Sequence, residues 1–195
     1  WVELGKDDGM EKNHTPSVNF MIDLIPEHII NNNFNFLDIG CGNGWLVKKI
    51  SNLKNCVRSV GIDGARKMIE KAQSNDDNSE YLQLDLNNIQ LFNDKFDIIF
   101  SMEVVYYLKN PQQLINYVLN NLLKNGGVFF MGIDYYSENK KSLSWPQDLN
   151  VEMFNGSISD WFTMFQKAGF INISTHQVCP QKDWAGTLVL IGTKP

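Results

Sequence analysis

The sequence predicts an α/β protein: a doubly wound sheet of seven strands, mostly parallel, that ends in an antiparallel hairpin. Three observations carry this. Short apolar runs alternate with helically spaced apolar residues through the first two-thirds of the chain. The first such run, Phe36-Leu37-Asp38-Ile39, leads directly into a glycine-rich loop. The last two, at 170–178 and 187–191, follow each other without a helical segment between them, so they should pair antiparallel.

Each element has its own signal. Thr15-Pro16 reads as an N-cap followed by proline at the first helical position, and Val18, Met21, Ile22 and Ile25 then share a face until Pro26. After the strand at 36–39, Leu46, Val47, Ile50 and Leu53 mark a helix. Residues 57–62 form the second strand, which ends at Asp63, and Ala65, Met68, Ile69 and Ala72 the next helical face. Residues 81–84 and 96–100 are the third and fourth strands. Asn110-Pro111 repeats the cap-then-proline signal for a helix carrying Leu114, Ile115, Val118 and Leu122. Gly126-Gly127 should stop that helix before a fifth strand at 128–133. Ser159 should cap a helix bearing Trp161, Phe162, Phe165 and Ala168, with Gly169 closing it.

The chain of 195 residues reads as one domain, 1–195, with no repeat and no dividing linker. Residues 1–30 supply an N-terminal lid and helix, and 135–156 an insertion over the substrate side. A net charge of −5, no long basic run and arginines only at Arg58 and Arg66 argue against a broad electrostatic grip on nucleic acid. Cys41, Cys56 and Cys179 are odd in number and far apart. They form neither a disulfide framework nor a metal-ligand spacing, which points to a reducing, cytoplasmic setting. His14, His28 and His176 are equally scattered, so no metal is expected. No apolar run approaches the roughly 20 residues of a membrane span, and no secretory leader pattern is visible.

The chemistry concentrates in Leu37-Asp38-Ile39-Gly40-Cys41-Gly42-Asn43-Gly44, between a strand and a helix. Glycines there allow a sharp turn and a close backbone approach to a ligand. Asp63 ends the next strand, where a carboxylate can accept both hydroxyls of a ribose. A nicotinamide oxidoreductase would place its third glycine at the position of Trp45; here it comes one residue early, at Gly44.

Asp38 followed by Gly40, Gly42 and Gly44 resembles the first motif of the class I S-adenosylmethionine-dependent methyltransferases. The resemblance extends from about residue 35 to the terminal hairpin, and it implies a Rossmann-like fold. By that resemblance, the three glycines face the methionine part of S-adenosylmethionine, Asp38 orients its amino group, and Asp63 with Gly64 holds the ribose. Asp85 matches the acid that accepts from the adenine amino group, with Leu86 beside the ring and Met68 at an adenine-packing position. Ser101 opens the segment that lies along the cofactor. Cys41 belongs to the same loop as a small residue rather than a nucleophile. Plain structural roles stand beside these: Asp85 as a turn residue and Met68 as core.

Methyl transfer needs little from side chains beyond positioning and the exclusion of water. If the acceptor must lose a proton, the candidate bases are Glu103, Asp134 and Tyr107, near the ends of the fourth and fifth strands. A helix cap at Glu103 and a turn at Asp134 are the structural alternatives. The segment 101–108 is similar to that of quinone-biosynthesis O-methyltransferases, but Tyr106-Tyr107 replaces their Glu-His. No Asn-Pro-Pro-Tyr-like motif follows the fourth strand, and aromatic residues such as Tyr135, Tyr136, Trp145 and Phe154 crowd the insertion. A small-molecule acceptor is therefore expected, with the cofactor leaving as S-adenosylhomocysteine; the aromatic faces suit an apolar ring or a cationic amine. A non-catalytic partner protein that keeps the fold is the alternative.

Overall fold

The computed structural model describes residues 9–91 and 94–195. Residues 1–8 of the expected lid, Trp1 among them, lie outside the described residues. The elements run α1 (Met10–Asp23), α2 (Glu27–Ile30), β1 (Phe34–Ile39), α3 (Trp45–Ser51), β2 (Cys56–Asp63), α4 (Arg66–Asn75) and β3 (Glu80–Gln83). They continue with β4 (Phe96–Met102), α5 (Pro111–Tyr117), β5 (Leu123–Ile133), α6 (Trp145–Leu149), α7 (Ile158–Ala168), β6 (Ile171–Val178) and β7 (Thr187–Thr193).

The seven strands form one sheet in the order β3-β2-β1-β4-β5-β7-β6. β1 to β5 are parallel, and β7 pairs antiparallel with both β5 and β6. The predicted architecture is the observed one. Strand order reverses between β1 and β4, and such a switch point opens a crevice at the carboxyl ends of the strands.

Alternating residues feed two cores. Leu37, Ile39, Ile99, Phe129 and Met131 pack with Leu114, Ile115, Trp161 and Phe165 of α5 and α7. Phe36, Ile98, Phe100 and Phe130 pack with Val18 and Met21 of α1 and with Leu46, Val47 and Ile69 of α3 and α4. The Phe129 and Phe165 rings stack at 5.4 Å between centroids. Burying each such side chain stabilises the fold by about 1.5–3 kcal/mol.

Three boundaries depart from the sequence expectation. α1 begins at Met10, so Thr15 is no N-cap and Pro16 lies inside the helix, with the Thr15 hydroxyl donating to the Glu11 carbonyl. Gly126-Gly127 do not stop α5. That helix ends at Tyr117 and runs through a π-turn (Val118–Leu122) into β5, where the two glycines form a bulge between the pairs Phe96↔Leu123 and Ile98↔Val128. Ser157, not Ser159, caps α7: its hydroxyl accepts from Asp160 N while Asp160 accepts from Ser157 N, a reciprocal pair that satisfies two free amides. Gly169 closes α7 in the left-handed region, as expected.

Candidate active site

A cavity of about 990 Å³ opens along the carboxyl ends of the strands. Sheet order divides its lining. Gly40, Gly42, Asp63, Met68 and Leu86 come from the β1–β2–β3 side, and Glu103, Asp134, Thr187 and Cys179 from the β4–β5–β7–β6 side. α1 walls the second half with His14 and Ser17, and Trp145 and Trp184 reach it from the insertion and the β6–β7 turn.

The loop after β1 takes its shape from backbone conformation. Gly40 and Gly44 both have φ +80°, and a Cβ on Gly40 would stand 2.1 Å from Val104 Cγ2. Gly40 N and Cys41 N both donate to the Ile62 carbonyl, which pins the loop to β2. Asp63 ties the two turns together, its Oδ2 accepting from Gly42 N at 2.9 Å and its Oδ1 from Ala65 N at 2.8 Å. Each oxygen keeps a further lone pair. Asp38 sits behind the loop, only 4% exposed, and its Oδ1 has no partner. Burial, and after it the charge of Asp63, pushes the Asp38 carboxyl up to about 8.

Six of the residues expected at the cofactor are absent from the cavity lining. Asp85 is exposed and absent from the cavity lining. Its Oδ1 accepts from Asn87 N and its Oδ2 from the Asn88 side chain, so it starts the turn Leu86–Leu91, and the Asn87 bonds hold its carboxyl below the ordinary range. Ser101 is fully buried in β4 and donates to the Ile39 carbonyl, joining two strands. Cys41 turns into the core, where its sulfur occupies the space beside Gly61; burial pushes its thiol well up. Gly44 packs on Tyr81 and Ala72, and Gly64 is exposed; neither lines the cavity. Asp38 does not line the cavity either; it lies behind the loop with its Oδ1 buried and unpartnered. Met68 and Leu86 line the cavity.

Glu103, Asp134 and Tyr107 converge on the other half. Glu103 ends β4 with φ +60°, a left-handed conformation that a side-chain-bearing residue holds only when its surroundings demand it. Its Oε2 accepts from Tyr106 Oη at 2.8 Å and its Oε1 from Asp134 N. Burial first, then Asp134, pushes its carboxyl well above the usual range. Burial likewise raises Asp134, and its hydrogen bond with the Thr187 hydroxyl opposes that shift. Asp134 Oδ1 is buried without a partner. Ser17 Oγ of α1 donates to Thr187 Oγ1 at 2.8 Å, so a chain of hydroxyls backs Asp134. Tyr107 stands 40% exposed at the cavity, its ring 4.5 Å from that of Tyr106.

Sequence reasoning did not assign Ser17, Thr187 or Trp184 to the site. Ser17 and Thr187 are 170 positions apart and meet only through the fold. His14 also lines the cavity; burial lowers its pKa and favours the neutral ring. Among the described residues, no three His, Cys, Asp or Glu side chains are placed to hold a metal, and no helix is long and apolar enough to cross a membrane.

Comparison with known proteins agrees with this geometry. Residues 37–131 match the profile of a family described as a methyltransferase domain. The chain is 32% identical over 120 residues to the mitochondrial ubiquinone biosynthesis O-methyltransferase of Dictyostelium discoideum, which covers 54% of this chain and 37% of that protein. It is 27% identical over 158 residues to the tRNA U34 carboxymethyltransferase of Aliivibrio salmonicida, covering 75% of this chain and 48% of that one. The chain thus spans less than half the length of either relative. Among solved structures, a Haloferax volcanii chain in complex with the Trm112 methyltransferase activator superposes with a TM-score of 0.87 at 24% identity, over 100% of this chain and 96% of that one. An S-adenosylmethionine-dependent methyltransferase from Mesorhizobium loti superposes with a TM-score of 0.75 at 18% identity, over 93% and 97%.

Proposed function

We propose that this chain, whose residues 37–131 match a methyltransferase-domain family, is a class I S-adenosylmethionine-dependent methyltransferase that transfers the methyl group of S-adenosylmethionine to a small molecule in the Glu103–Asp134 half of the cavity. The observation that carries the proposal is the single cavity joining the glycine loop to those carboxylates and to an aromatic wall. The residues present fit the cofactor. Asp38 holds a buried carboxylate oxygen in need of a donor, and the loop brings Gly40 and Gly42 to the cavity wall, with no room for a Cβ at Gly40 beside Val104.

S-adenosylmethionine supplies, when bound, an electrophilic methyl group on a sulfonium. In this proposal Asp38 accepts from the ammonium group of the cofactor, Gly40 and Gly42 lie against its methionine part, and Asp63 accepts from the ribose with its remaining lone pairs. Met68 and Leu86 flank the adenine. Glu103, Asp134 and Tyr107 face the acceptor and are placed to take a proton from it. The single domain comprises the sheet, the helical lid at the N-terminus and the insertion 135–156, which reaches the acceptor half through Trp145. Three free cysteines suit a reducing, cytoplasmic setting.

A nucleic-acid acceptor, as in the tRNA relatives, would approach a half-cavity with two carboxylates and, among its described residues, no Lys or Arg. Calorimetric titration with S-adenosylmethionine and S-adenosylhomocysteine should give one site per chain, and S-adenosylhomocysteine should accumulate with small acceptors. A folded chain that binds neither compound would refute the cofactor assignment, and turnover confined to RNA would refute the small acceptor.

A further inference from the structure

We infer that the acceptor is an amine that enters as a cation on an aromatic body, held between the Glu103 and Asp134 carboxylates and the rings of Tyr107, Trp145 and Trp184. This inference rests on the methyl-transfer proposal above and narrows it to one substrate class.

Charge is the first argument. The described lining of the acceptor half contains Glu103 and Asp134 and no Lys or Arg. Arg66 and Lys67 stand at the start of α4, with Asp63 and Met68, at the cofactor end. His14 adds no charge, because burial favours its neutral ring. Two carboxylates at a cavity with no counter-charge are compensated by a cationic ligand and repel an anionic one.

Hydrogen bonding is the second argument, and it separates the two acids. Glu103 accepts on both oxygens, from Tyr106 Oη and Asp134 N, so it is fixed in place and fixes the Asp134 backbone in turn. Asp134 is bonded to Thr187 but leaves Oδ1 buried and unpartnered. A buried acceptor without a donor is rare in folded proteins and marks a position where a ligand N–H belongs. Burial raises both carboxyls, a shift that a nearby cation would offset.

The aromatic lining is the third. The Trp145 and Trp184 rings lie 6.1 Å apart and Tyr107 is exposed toward the cavity, which gives an apolar body a wall and a cation two or three ring faces. The step then balances. The ammonium gives one proton to the Asp134 carboxylate, and the freed nitrogen lone pair forms the new N–C bond as the S–C bond breaks. The electrons of that bond stay on sulfur in neutral S-adenosylhomocysteine. The product leaves as a methylammonium, and Asp134 returns its proton to water.

The test uses the chain saturated with S-adenosylhomocysteine and three pairs of probes of similar shape: phenethylamine and tryptamine, the corresponding alcohols, and the corresponding arylalkyl acids. The amines should bind at least tenfold tighter than the alcohols and acids by calorimetry. Asp134→Asn should remove that preference while S-adenosylhomocysteine still binds within twofold, and Trp184→Ala should weaken all the probes, the amines most. If the amines bind no better than the others, or not at all, to a chain that binds S-adenosylhomocysteine, the amine inference is overturned and methyl transfer stands. Failure to bind S-adenosylhomocysteine would instead overturn the methyl-transfer proposal.

Discussion

Asp38→Asn removes a charge from a place where the folded chain offers it no partner. In the free chain its carboxyl titrates at about 8. Below that pH most molecules carry it protonated, and a cofactor ammonium meets an ionised carboxylate only after a proton leaves. Between pH 5.5 and 7.5 the affinity for S-adenosylhomocysteine should therefore rise nearly tenfold per unit, about eightyfold across the window. The α-amino group of the ligand stays largely protonated there. Asparagine cannot ionise, so this slope disappears from the variant. The lost charge-assisted bond, about 1.5–3 kcal/mol against the ionised form, leaves the variant roughly three- to fortyfold weaker at pH 7.5, and the two curves cross between about pH 5.8 and pH 6.9. Calorimetry at five pH values, in buffers of different ionisation enthalpy, reads both affinity and proton release. A wild-type affinity flat across the window, together with a variant within twofold at pH 7.5, would refute the reasoning. The sign for stability is fixed by the same raised pKa. The contribution of Asp38 to the ligand-free chain is fully present below its unfolded pKa near 3.9 and is lost as pH rises toward about 8.

Three further outcomes are expected. Gly40→Ala puts a Cβ against Val104 at φ +80° and should cost about 1–3 kcal/mol, lowering the melting temperature by several degrees and abolishing cofactor binding in the same scan. Asp63→Ala frees the Gly42 and Ala65 amides and should weaken S-adenosylhomocysteine tenfold or more, whereas Asp85→Ala should leave it within twofold; the reverse order would show that Asp85 meets the adenine. Ser157→Ala should cost about 1 kcal/mol in chemical denaturation and Ser159→Ala under about 0.5 kcal/mol, because only Ser157 caps α7.

What could be read from the chain followed physical locality. The β1 loop and Asp63 lie at the ends of adjacent parallel strands, so their partnership is encoded by short spacing, and it was legible. The terminal hairpin was legible because no helical segment separates its strands. Misplaced boundaries came from signals that compete at close range. Ser157 and Ser159 both resemble caps, and only the pairing of Ser157 with Asp160 three residues on decides between them. Thr15-Pro16 looks like a helix start, but Pro16 is tolerated inside α1, where the Thr15 hydroxyl takes up the Glu11 carbonyl. Asp85 was read through a family resemblance, and its neighbours Asn87 and Asn88 claimed its oxygens. The acceptor half has no local signature, since α1, β4, β5 and β7 each contribute one or two residues to it.

The Ser17–Thr187 bond has a bearing on how the protein is made. On the ribosome, α1 emerges early and waits, with the strand it must dock against still unsynthesised. The glycine loop, β2 and Asp63 can assemble from the first third of the chain, but the acceptor half has no back wall until the last strand leaves the exit tunnel. A chain cut before β7 would therefore hold the glycine loop and Asp63 in place without the hydroxyls that stand behind Asp134. Of the cavity's two halves, the one with Glu103 and Asp134 depends on contacts made across almost the whole domain, and the one with the glycine loop does not.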